Sequence, residues 1–177
     1  MKLLAFGASN SSKSINKQLA AYAASQVIGE DIQIDVIDIN DYEMPLFSAD
    51  NEAVLGQPQQ AKDFYEKLGQ ADAIIISFAE HNGSYTAAYK NLFDWTSRIH
   101  KKLYQNKPMV LLATSPGPGG AATLLNSAVA SAPYFSGEVK ASLSIPNFYD
   151  NFDQVKQTLI NHDLREQLKI ALSQLTT

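Results

Sequence analysis

The sequence predicts a three-layer α/β domain, a five-stranded parallel sheet with helices on both faces. Five short apolar runs, at 2–7, 33–39, 73–78, 108–114 and 139–145, alternate with stretches whose apolar residues recur at helical spacing. Repeated strand–helix alternation specifies parallel strands, because a parallel pair needs a crossover long enough to hold a helix. The third run (Ala73-Ile74-Ile75-Ile76-Ser77-Phe78) and the fourth (Met109-Val110-Leu111-Leu112-Ala113) are almost continuously apolar. That is the pattern of strands buried on both faces.

In chain order, the first run leads into a helix with Ser14 as N-cap and Ile15, Leu19, Tyr22, Ala23 and Val27 on one stripe. The second run begins by alternating, Gln33 and Asp35 against Ile34 and Val36, which suits a strand near an edge. Residues 40–58, with Pro45, Gly56 and Pro58, read as a surface loop that borders a site. A helix over 59–68 gathers Ala61, Phe64, Tyr65 and Leu68. After the third run, a helix over 85–100 stacks Tyr85, Tyr89, Leu92, Phe93, Thr96 and Ile99, with Ser84 in a capping position. Within it, Lys90, Asp94 and Arg98 at i, i+4 spacing read as an ion-pair ladder. A fourth helix starts near Ala121 with Leu124, Leu125 and Ala128 inward, and a last one over 162–175 carries Leu164, Leu168, Leu172 and Leu175. No internal repeat or linker divides 1–177, which is read as one domain. Five such strands match the flavodoxin-like order 2-1-3-4-5.

Composition narrows the chemistry. The 177 residues are 45% hydrophobic and 18% charged, with net charge −4, which gives no general attraction to nucleic acid or anionic lipid. There is no cysteine, so thiolate metal sites, dithiol redox chemistry and cysteine nucleophiles are excluded together. Any redox work must fall to a bound cofactor. The apolar start, Met1 to Gly7, is too short for a signal peptide core and no run approaches a membrane span, so a cytoplasmic protein is expected. His81, His100 and His162 lie on separate segments without metal-ligand spacing. No G-x-S-x-G elbow and no P-loop is present.

Open parallel sheets bind ligands beyond the C-terminal ends of their strands. The loop after the first strand reads Gly7-Ala8-Ser9-Asn10-Ser11-Ser12-Lys13-Ser14-Ile15-Asn16. It gathers hydroxyls, amides and one Lys at a helix N-terminus, where free N–H groups and the dipole favour an anion. These donors suit a phosphate monoester; a Ser-rich cap and turn would use the same residues. The loop after the third strand, Ala79-Glu80-His81-Asn82-Gly83-Ser84-Tyr85, offers polar groups to the edge of a flat heterocycle, with Gly83 free to adopt positive φ. An ordinary strand–helix turn is the alternative, and a loop histidine is more often merely solvated. After the fourth strand, Ser115-Pro116-Gly117-Pro118-Gly119-Gly120-Ala121-Ala122 contains a formal G-x-G-x-x-A match. It follows the wrong strand for a dinucleotide fingerprint, and Pro118 removes a needed donor. It reads instead as a glycine wall that a planar ring can approach.

At these residues the chain resembles the NADPH-dependent FMN reductase family, which includes flavodoxin-like quinone and chromate reductases. The family's first-loop pattern G-S-x-R-x-x-S-x-N is kept at Ser9, Ser14 and Asn16. Its P-E-Y-N-x-S-x-P and L-K-N-x-x-D-W segments are similar to Ala79–Thr86 and to Tyr89-Lys90-Asn91-Leu92-Phe93-Asp94-Trp95. The resemblance implies FMN as cofactor, NADPH or NADH as electron donor, and a small acceptor such as a free flavin, quinone, azo compound or oxidised metal. Ser9, Ser11, Ser14, Ile15 and Asn16 would hold the FMN phosphate. Glu80, His81, Asn82 and Gly83 would follow the ring edge, with Ser115 and Gly117 near its other side. His81 is the one speculative proton donor. A homodimer or homotetramer is implied, with Trp95 and Arg98 as candidate contacts. Ser11 stands where the family has an Arg, so Lys13 is the candidate replacement cation. His81 replaces a Tyr, and Ala79 and Thr86 replace prolines. A flavodoxin-type electron carrier, which binds FMN without oxidising NAD(P)H itself, is the competing reading.

Overall fold

The computed structural model describes residues 1–29 and 31–176. Five parallel strands form the central sheet: β1 (Lys2–Ala8), β2 (Gln33–Ile37), β3 (Ala73–Phe78), β6 (Lys107–Thr114) and β7 (Gly137–Ile145). Their spatial order is β2-β1-β3-β6-β7, which renumbers to the expected 2-1-3-4-5. Between β3 and β6 lie two short strands, β4 (Glu80–His81) and β5 (Ser84–Tyr85), which pair only with each other. Near the C-terminus β8 (Phe152–Asp153) and β9 (Thr158–Leu159) form another small pair.

The helices are α1 (Ile15–Ser25), α2 (Ala49–Leu55), α3 (Gln59–Gln70), α4 (Ala87–Ile99), α5 (Ala122–Ser131), α6 (Phe148–Asn151) and α7 (His162–Ser173). Two apolar layers follow from the strand alternation. Leu4, Phe6, Ile74, Ile76, Met109 and Leu111 face α3, α4 and α5. Leu3, Ala5, Ile75, Val110 and Leu112 face α1 and α7. The half-alternating second run is indeed the edge strand: Ile34 and Val36 remain 44% and 40% exposed there.

Three local expectations change. Residues 40–58 are not a plain loop: a 3₁₀ turn spans Ile39–Tyr42 and α2 spans Ala49–Leu55. No α2 residue is buried, so the helix has no apolar stripe for a sequence to reveal. The helix expected from residue 85 begins instead at Ala87, capped by Thr86 and not by Ser84. Thr86 Oγ1 accepts from Tyr89 N–H (3.2 Å) while donating to Ala8 C=O (3.0 Å), so the residue in the family's proline position ties α4 to the end of β1. The ion-pair ladder is also interrupted. Lys90 pairs with Asp94 at 2.7 Å, but Arg98 Nε turns to Glu52 of α2 at 2.9 Å.

Candidate functional site

At the C-terminal edge of the sheet, a cleft of about 210 Å³ is lined by the loops after β1, β3 and β6 together with Tyr149 of α6. It gathers Ser9, Ser11, Lys13, Ser14, Ile15, Asn16, Glu80, His81 and Ser115. Of the residues singled out in the sequence, Asn82, Gly83 and Gly117 are not in its lining.

The first wall is the N-terminus of α1. Gly7 lets that helix approach β1, since a Cβ there would lie 2.4 Å from the Lys17 nitrogen. Ser14 Oγ accepts from Lys17 N–H (3.2 Å), and Ser9 Oγ accepts from Ser11 N–H (3.2 Å). Each hydroxyl thereby shapes the loop and keeps its own proton to donate. Among the described residues the backbone N–H groups of Ile15 and Asn16 have no protein partner, as expected for a first helical turn left to meet a ligand or water. Lys13 forms no ion pair among the described residues, whereas Lys17 is committed to Asp38. Burial would raise the Asp38 pKa, but the Lys17 and Asn40 hydrogen bonds outweigh it and hold the carboxyl below its ordinary value.

Asn16 has a different role from the one its position suggests. It is 2% exposed, and its Oδ1 accepts from Ser77 Oγ (2.7 Å) and Thr114 N–H (3.1 Å). Its Nδ2 donates to Thr114 C=O at 3.1 Å. The side-chain amide therefore pairs with the last residue of β6 as a neighbouring strand would, and only its backbone N–H is left for the cleft.

The second wall is a hairpin. Glu80 pairs with Tyr85 and His81 with Ser84, across a turn in which Asn82 (φ 53°) and Gly83 (φ 77°) are both left-handed. That is the two-residue turn for which Asn-Gly is the strongest signal; the loop expected from the sequence is thus a hairpin, with Gly83 at the positive φ anticipated for it. Glu80 Oε2 accepts from Leu124 N–H at 2.8 Å, at the start of α5. Ala121 has no capping side chain, so a residue 44 positions away supplies the cap. His81 is exposed at the hairpin tip.

The third wall is the start of the glycine-rich turn, where Ser115 and Pro116 line the cleft. A Cβ on Gly117 or Gly119 would meet nothing within 4 Å, so the backbone there faces open space. Gly120 (φ 57°) is packed against β7, and Ser144 Oγ donates to its C=O at 2.8 Å. Behind it, Asn147 N–H donates to Gly117 C=O (2.9 Å) and Phe148 N–H to Ser115 C=O (3.0 Å). These bonds set Tyr149 beside the cleft, a position that the reading of the β1, β3 and β6 loops passed over.

The family model described as NADPH-dependent FMN reductase matches residues 1–148. The chain belongs to that family. Among curated relatives, a 2-hydroxy-1,4-benzoquinone reductase of Burkholderia sp. is 34% identical over 110 residues, 62% of this chain and 57% of that protein. An NAD(P)H-dependent FMN reductase of Pseudomonas aeruginosa is 32% identical over 122 residues, 69% of this chain and 64% of the relative. The matched stretch thus spans less than two thirds of either relative. Among solved structures, the flavoenzyme NAD(P)H:(acceptor) oxidoreductase FerB of Paracoccus denitrificans superposes with a TM-score of 0.74 at 19% identity, covering 98% of this chain and 94% of that one. At that identity the likeness establishes the shared fold.

Family membership gives the L-K-N-x-x-D-W segment a structural explanation. Asn91 accepts from Phe47 N–H (2.8 Å) and donates to Met44 C=O (3.1 Å) and Pro45 C=O (3.2 Å). Trp95 Nε1 donates to Pro45 C=O (2.7 Å) and its ring meets Phe47 edge-on at 5.1 Å. The motif pins the chain between β2 and α2 onto α4. Trp95 is 0% exposed and spent inside its own chain, so it is not the subunit contact suggested from sequence.

Proposed function

We propose that this protein is an FMN-dependent NAD(P)H oxidoreductase that passes electrons to a small acceptor such as a quinone, free flavin, azo compound or oxidised metal. The observation that carries the reading is the make-up of the cleft. Unpartnered N–H groups of Ile15 and Asn16 and the uncommitted Lys13 line it, and the turn that begins at its lining residues Ser115 and Pro116 continues into Gly117 and Gly119, whose backbone faces open space. A phosphate monoester fits the first and a planar ring the second. The chain has no cysteine, and the described residues hold no cluster of three His, Cys, Asp or Glu that could bind a metal. When bound, FMN would supply the two-electron chemistry that the side chains lack.

The chain's own residues then have binding and positioning roles. Ser9, Ser11 and Ser14 donate hydroxyl protons to the phosphate, the backbone of Ile15 and Asn16 adds N–H donors, and Lys13 supplies the charge that Ser11, in place of Arg, does not. Glu80 holds the hairpin against α5, so that His81, Asn82 and Gly83 border the ring. Ser115 and Gly117 form the opposite side. His81, at the cleft lining, would be the residue to give a proton to a reduced acceptor. The names of the Burkholderia and Pseudomonas relatives support a quinone or flavin acceptor. No described helix is long and apolar enough to cross a membrane; a cytoplasmic location and a homodimer or homotetramer belong to the same proposal.

Anaerobic addition of NADPH, then NADH, to the FMN-loaded protein tests this. Flavin absorbance should bleach within seconds with one nucleotide or both. Bleaching by dithionite alone would make the chain an electron carrier, and failure to take up FMN would refute the cofactor assignment.

A further inference from the structure

Tyr149 lies one residue beyond the stretch that matches the family model, yet it lines the same cleft as Ser11, Lys13 and Ser115. Its side chain is 57% exposed, whereas Phe148 before it is fully buried. An exposed aromatic ring is unremarkable when its backbone is mobile, but this one is held on three sides. Phe148 N–H is bonded to Ser115 C=O, and Asn147 N–H to Gly117 C=O, so the segment is fastened to the glycine wall itself. Asn151 Nδ2 donates to Pro146 C=O (2.8 Å), closing the turn from below. The Phe148 ring meets Tyr149 edge-on at 5.6 Å and 82°, which limits where the phenol can turn. Apart from His81 on the hairpin wall, Tyr149 is the only aromatic side chain in the cleft lining.

We infer that Tyr149 is a ligand-contacting residue, an aromatic wall that closes the β7 side of the cleft against the flat ring of FMN and sets how tightly the cofactor is held. This rests on the cofactor reading above. A buried anchor, a fastened backbone and an exposed ring are what aromatic contact with a planar ligand needs, because little side-chain freedom is then lost on binding. The Ser9–Asn16 loop lacks the family's arginine, so a contact elsewhere in the cleft would compensate for the weaker phosphate grip.

The test is titration of the apo-protein with FMN, followed by flavin fluorescence, for wild type, Tyr149→Phe and Tyr149→Leu. Wild type should bind FMN with its fluorescence quenched. Tyr149→Phe should retain the affinity, because the ring and not the hydroxyl makes the contact. Tyr149→Leu should bind about tenfold more weakly, roughly the factor one aromatic contact contributes, and its bound flavin should be brighter. Thermal melts of the apo-proteins should coincide, since an exposed side chain is being exchanged. Wild-type affinity and quenching in Tyr149→Leu would overturn the assignment while leaving the FMN reading intact. A wild-type protein that takes up no FMN would overturn both.

Discussion

Asn16 and Glu80 show how one residue type in a site-like position can serve the scaffold. Both were placed in the cofactor site from the sequence, and both line the cleft. Their side chains are nonetheless spent on protein: Asn16 on Ser77 and Thr114, and one Glu80 oxygen on the first turn of α5. Asn16→Ala would leave three buried polar groups unpaired, and we expect a loss of about 3 kcal/mol in urea unfolding. Glu80→Ala removes a single cap and should cost about 1 kcal/mol. A fall in FMN affinity without loss of stability in either variant would contradict these roles. Asp38 is a third case, with a sign that can be worked out. Its pKa is lowered in the fold, so its contribution is present above the unfolded carboxylate value and is lost as pH falls through the folded one. The pair is partly solvated, which limits the effect to under about 1 kcal/mol. Asp38→Asn should therefore be slightly less stable than wild type at pH 7, and the two should converge in acid-dependent urea unfolding as pH falls through the lowered Asp38 value. None of this is visible in sequence, because an Asn in the first turn of a helix looks the same whether its side chain meets a ligand or a backbone 98 residues away.

At the scale of elements, what could be read depended on how much apolar surface each one buries. β3 shows nothing but buried residues and was unmistakable; α2 buries none and was invisible. The β4–β5 hairpin was missed for another reason. Asn82-Gly83 is a strong turn signal, but Ser84 directly after it reads as a helix cap, which hides the short strand that Ser84 and Tyr85 form. The segment before α2 depends instead on α4. Its position over residues 44–47 rests on buried Met44 and on Phe47 against Trp95, and on the bonds from Asn91 and Trp95. Asn91→Ala removes three of them, and at about 1 kcal/mol each the loss should reach about 3 kcal/mol. Local release should exceed global destabilisation, so limited proteolysis ought to cut near residues 44–48 well before the sheet unfolds. Cleavage spread evenly along the chain would mean that the segment is held by something else.

For the molecule as a whole, the arrangement joins a rigid sheet to a cleft built from three loops and the start of α6, none of which has regular hydrogen bonding to spare. The first turn of α1 exposes donors, and the glycine turn at 117–120 leaves backbone facing space. A ligand that satisfies these groups binds the folded chain alone, so it must stabilise the fold by mass action. At an FMN concentration one hundred times its dissociation constant the gain is about 2.7 kcal/mol. For a chain of 177 residues, each kcal/mol moves the melting temperature by about 2–4 °C, so FMN should raise it by roughly 5–10 °C. Riboflavin, which has the same ring and no phosphate, separates the two ends of the cleft: it should give a markedly smaller shift. If Lys13 meets the phosphate as proposed, Lys13→Ala should shrink the FMN shift and leave the riboflavin shift unchanged. Equal shifts for FMN and riboflavin in wild type would show that the Ser9–Asn16 loop holds no phosphate, and the departure at Ser11 would then mark a lost contact rather than a relocated one.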